Sequence, residues 1–121
     1  MAGDGFLDAF ANWIVDQIDA FGDWFHDSGV GTSGPAVDDA ALGSATGDAR
    51  IAGADSQPSP EIFQTVATIP YTGSLAITEW GLWTLITSGV LMLRSVFAAI
   101  NVGNGDSIQF TAQVTINSSV V

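Results

Sequence analysis

The chain has 121 residues, a formal net charge of −11 and no cysteine, yet 47% of it is hydrophobic. Lysine is absent, arginine occurs only at Arg50 and Arg94, and eleven of the thirteen acidic residues are Asp. This composition excludes a disordered acidic tail, which would be poor in apolar residues, and argues against direct nucleic-acid binding, which needs Lys and Arg clusters. With no thiol and one histidine, His26, it also excludes a disulfide framework and a Cys/His zinc site.

Residues 5–27 carry Phe6, Leu7, Phe10, Trp13, Ile14, Ile18, Phe21, Trp24 and Phe25 at helical spacing. This predicts an amphipathic helix as a first region, 1–28, with Asp4 as N-cap and Gly29 as stop. Asp8, Asp16, Asp19 and Asp23 mostly fall off the stripe. A helix this aromatic needs an apolar partner. The set Leu7, Phe10, Ile14, Gln17, Phe21 and Trp24 forms a heptad-like seam. Phe6, Phe10, Trp13, Ile14, Phe21 and Trp24 are therefore the expected oligomer or anchor interface, with packing inside the chain as the alternative. Asp on the polar face, where interfacial helices carry Lys and Arg, argues against a membrane. The first residues carry no positive charge, unlike a secretory leader.

Residues 29–60 are rich in Gly, Ser, Ala, Asp and Pro and hold no aromatic residue. They read as a flexible or extended linker arm. Residues 61–121 read as a small antiparallel β-sandwich or barrel, making the whole chain mainly β. EIFQTVATIPYT, SLAITEWGLWTLI and VLMLRSVFAAINV are rich in β-branched and aromatic residues. Asn104-Gly105 is a hairpin-turn signal. The last strand alternates, with Ile108, Phe110, Ala112, Val114 and Ile116 on one side. Glu79, Arg94 and several glycines interrupt the apolar stretch 75–100, which fits strands better than a membrane span.

No catalytic constellation, cofactor motif or metal site is expected. His26 falls at the end of the expected helix and is read as facing solvent. Asp38-Asp39 and Asn101–Asp106 supply oxygen ligands but lack EF-hand spacing. Glu79 and Arg94 each stand alone in an apolar strand. Burying either unpaired would cost several kcal/mol, so a structural ion pair between them is expected.

Three runs carry a resemblance: Ile77-Thr78-Glu79-Trp80-Gly81-Leu82-Trp83, then Gly89 through Phe97 with Arg94, then Gly105-Asp106-Ser107-Ile108-Gln109-Phe110-Thr111. Together they resemble a small β module of tailed-phage virion proteins, found in capsid decoration proteins, turrets and tail-fibre N-termini. Trp80 and Trp83 depart from the usual pattern. With the acidic, lysine-free composition, which suits multimolar salt, the resemblance implies a tailed virus of halophilic archaea. It implies a non-enzymatic virion protein, made in the host cytoplasm and carried on the capsid surface or tail. The implied assembly is a homo-oligomer, a trimer or pentamer, docked on the major capsid protein or another virion protein. No receptor-binding tip follows the module, which favours capsid decoration over a tail, neck or baseplate part. A separate reading, host adhesion, would use Trp80 and Trp83 as an exposed aromatic platform.

Overall fold

The β-branched runs of the second half become antiparallel strands in the computed structural model, which describes residues 5–120. In chain order the elements are β1 (Gly5–Phe6), α1 (Asp8–Ala20), β2 (Phe25–Gly29), β3 (Ile51–Ala52), β4 (Ala54–Ser59), β5 (Ile62–Pro70), β6 (Leu75–Trp83), β7 (Leu91–Val102), β8 (Ser107–Thr115) and β9 (Ser119–Val120). They form a two-stranded sheet β1-β9, a four-stranded sheet β3-β2-β6-β7 and a three-stranded sheet β4-β5-β8. The fold is mainly β with one helix near the N-terminus. No helix among the described residues is long and apolar enough to cross a membrane.

The chain divides into two compact units. The first holds residues 5–22, 54–66 and 111–120. Here α1 lies against β4, burying Ala11 and Val15, which are one helical turn apart on one stripe. Asp19 accepts from Gln57 Nε2 at 3.1 Å, Asp8 accepts from the Ser118 hydroxyl, and Ile116 N–H donates to Glu61 O at 2.9 Å.

The second unit holds residues 23–53 and 67–110. Its core is Ile69, Tyr71, Ile77 and Val102, with Val30, Ile51, Leu75, Phe97, Ile108 and Phe110 packed around it. β6 is the central element. It pairs β2 from Phe25↔Trp83 to Gly29↔Glu79 and pairs β7 from Leu75↔Val102 to Trp83↔Leu91. Seven consecutive residues, 77–83, are buried. A strand covered on both faces reads this way. Ile77 belongs to the core, while Thr78, Glu79 and Gly81 meet residues of the segment 30–46.

Several sequence expectations are corrected. The helix ends at Ala20, not near Gly29: Gly22, at φ 123°, takes a conformation that costs other residues strain and turns the chain away. Residues 25–28, expected in the helical region, and the expected stop Gly29 are instead the strand β2, which sits between β3 and β6. Leu7 occupies the N-cap position, and Asp4 lies outside the described residues. The expected linker 29–60 contains the strands β3 and β4, and the N–H groups of Gly31, Gly43 and Ser44 in it are held by Glu79. Asn104-Gly105 does make a turn, with Gly103 N–H on Asp106 Oδ2 at 2.7 Å. Yet β7 and β8, which it joins, belong to different sheets, so it is a crossover rather than a hairpin.

Candidate functional site

The structure brings Glu79 and Arg94 together. Arg94 Nε and Nη2 each lie 3.1 Å from Glu79 Oε1. Glu79 is fully buried and also accepts three backbone N–H groups: Gly31 at 2.7 Å, Gly43 at 2.7 Å and Ser44 at 2.8 Å. Arg94 goes on to Asp39 Oδ2 at 3.1 Å and to Ser33 O at 2.8 Å. Burial alone would raise the Glu79 pKa, but these N–H donors and the guanidinium outweigh it and hold the carboxyl below its ordinary value. This carboxylate fastens segment 30–46 onto β6. Side chains at Gly29 or Gly31 would collide with it, since a Cβ there would sit 2.5 Å or 2.4 Å from Oε2. Leu42 fills the space beside Gly81, and Thr78 Oγ1 donates to Gly31 O at 2.6 Å.

The other arginine makes a second fastening in the same unit. Arg50 Nη1 donates to Leu85 O at 2.9 Å and Ser88 O at 2.7 Å, and its guanidinium lies 3.7 Å from the centre of the Trp83 ring. Asp27 Oδ2 stands 3.7 Å from its Nε. Both cations of the chain thus join the segment 27–50 to the β6–β7 hairpin. Among the described residues, only Asp27, Asp39 and Glu79 have an arginine within ion-pair distance.

His26 does not face solvent. It is fully buried in β2, and its Nδ1 accepts the Trp80 indole N–H at 3.0 Å. Burial lowers its pKa from 6.5 to about 4, so the ring is neutral at pH 7. Trp80 and Trp83 are 8% and 7% exposed, which corrects the exposed-platform expectation. Trp80 lies between His26 and Phe110, at centroid distances of 5.5 Å and 6.4 Å. Asp39 also caps Ala36 N–H, and Asp106 is engaged by its own turn, so neither oxygen-rich segment forms a cluster. Among the described residues no group of three acidic or histidine side chains converges as a metal site would.

The expected interface residues split in two. Trp24 is buried and belongs to the second unit. Phe10, Trp13 and Phe21 are 52%, 56% and 56% exposed, alongside exposed Leu7. Phe6 and Ile14 are half-buried. Phe6, Phe10 and Trp13 form a run of ring contacts, edge-on at 4.8 Å and stacked at 6.3 Å. The helix therefore buries only its Ala11–Val15 stripe and presents its aromatic stripe outward. β7 is likewise exposed at Met92, Leu93 and Ile100.

Sequence reasoning missed the three N–H donors to Glu79, and it missed Asp39, Arg50 and the burial of His26. One signal was available: glycines at 29 and 31, beside Ser28, in a segment otherwise read as linker. No protein-family model, curated protein or solved structure matches the chain.

Proposed function

We propose that this chain is a non-enzymatic structural subunit that self-assembles in strong salt, as a capsid decoration or turret protein of a tailed haloarchaeal virus would. The carrying observation is the outward aromatic face of α1. Phe10 and Trp13 on the 13-residue helix, and Leu7 at its N-cap, are each more than half exposed. A contiguous apolar patch of this kind marks a protein contact site. In strong salt, screening lets acidic copies approach and apolar association is retained. The groups that carry charge or protons inside the second unit, Glu79, Arg94, Arg50 and His26, are committed to holding it together. The major capsid protein, or another virion protein, is the partner this reading supplies. A tail, neck or baseplate position in the same kind of particle is the second reading, and copy number per particle separates the two. The adhesion reading loses its platform, because Trp80 and Trp83 are buried.

Sedimentation in multimolar salt tests assembly. The protein is expected to run as a homo-oligomer. Trp13→Asp together with Phe10→Asp is expected to shift association at least tenfold to higher concentration, with circular dichroism unchanged. A wild-type monomer at high concentration would sink the proposal.

A further inference from the structure

The four-stranded sheet ends on β7, the longest edge strand among the described residues. β3 is two residues long. β4 carries Asp55 and Pro58, both of which discourage strand addition. β8 carries Gln109, Thr111 and Gln113. β7 is twelve residues, LMLRSVFAAINV, with no proline and no acid. Its one charge, Arg94, is spent on Glu79, Asp39 and Ser33 O. Residues 98–101 are all exposed, without the alternation of a strand flanked on both sides. An edge of this length and composition leaves a row of backbone N–H and C=O groups ready to pair with another strand.

We infer that β7 is a self-pairing edge: two copies of this chain join β7 to β7 antiparallel, extending the four-stranded sheet across a two-fold axis. The inference rests on the assembly reading above and names its contact. Charge selects a second copy as the occupant. A chain of net charge −11 repels itself wherever acids face each other, and residues 80–105 contain no acid at all. Two-fold contacts are self-complementary, so one neutral edge supplies both halves. The ends also fit. A groove of about 230 Å³ beside the start of β7 is lined by Pro35, Val37, Met92 and Leu93, and Val37 is fully exposed. Antiparallel pairing brings the far end of the second strand, with exposed Ile100, toward this groove. A two-fold contact makes the assembly order even, in place of the trimer or pentamer that the resemblance implies.

The chain has no cysteine, so single spin labels can be placed cleanly on the full-length protein. Met92→Cys, Ser95→Cys, Ala98→Cys and Asn101→Cys are labelled in multimolar salt, and label-to-label distances between copies are read by pulsed EPR. Antiparallel self-pairing gives a minimum near the middle of β7. The distance then grows toward both ends by about 7 Å for each residue, twice the strand rise. Ala98→Lys is expected to abolish the short distances, with tryptophan fluorescence unchanged. An oligomer whose β7 labels show a flat profile or only long distances overturns the β7 contact and leaves assembly through the helix standing. A monomer overturns both.

Discussion

At the residue scale the chain depends on a few buried polar atoms. Replacing Glu79 by Gln removes the charge that faces Arg94 and three N–H groups. We expect a loss of roughly 3 kcal/mol in denaturant melts, since the arginine keeps a buried charge with no counter-ion at 79. Gly31→Ala should cost about 1–3 kcal/mol by forcing a Cβ against the same carboxylate. Acid should act on two of these groups in the same direction. His26 has a folded pKa of about 4 against 6.5 unfolded. The unfolded chain therefore takes up the proton first as pH falls. Stability is complete above about pH 6.5 and falls by at most about 3 kcal/mol as pH drops to about 4. Glu79, held below the ordinary carboxylate value, adds its own loss at lower pH. Thermal melts across this range at constant salt should slope accordingly, and His26→Gln, which retains an acceptor for Trp80, should flatten the upper part. A wild-type profile level from neutral to mildly acidic pH would contradict the buried neutral ring.

At the element scale, the helix and β2 are neighbours in sequence but belong to different units. Deleting residues 1–28 would remove β2 from beside β6 and strip His26 from Trp80. That truncation should lose cooperative unfolding in the second unit, as read by tryptophan fluorescence. Deletion of 1–22 removes α1 and leaves β2 in place. It should therefore keep the Trp80 environment and lose helix-dependent association. Equal damage from both deletions would show that the boundary at Gly22 is wrongly drawn. The same logic explains the segment 30–46. It lacks aromatic residues and strand propensity, so only its contacts, N–H groups on Glu79 and Leu42 on Gly81, order it.

At the scale of the whole molecule the charge balance dominates. Among the described residues three acids have an arginine partner, and both arginines are used in making those pairs. The other described acids have no arginine within ion-pair distance, so solvent and salt do most to moderate their repulsion. Melting temperature should rise as KCl is raised from about 0.1 M, where the Debye length is about 10 Å, into the multimolar range, where it is below about 3 Å. A neutral osmolyte at matched concentration should not reproduce the gain below 1 M, where charge screening is the main effect. A flat response to KCl would remove the salt argument and the habitat it points to.

The sequence by itself determined what depends on local pattern. Alternation and β-branched runs placed β5 to β8, helical spacing placed α1, and lone charges in apolar strands singled out Glu79 and Arg94, now seen in contact. Those signals are local because strand and helix periodicities and the cost of an unpaired buried charge are carried by the residues themselves. Only the tertiary structure decided the rest. His26, Trp80 and Trp83 read as exposed or neutral positions and are buried, because β2 enters the sheet beside β6. Residues 29–60 read as a free arm, yet they hold β3, β4 and the N–H groups that meet Glu79. A glycine-rich segment gains order from what it touches, and the partner it touches, Glu79, lies 35 to 48 residues away along the chain. No window along the sequence contains that contact, and it is there that Arg94 meets the fully buried Glu79.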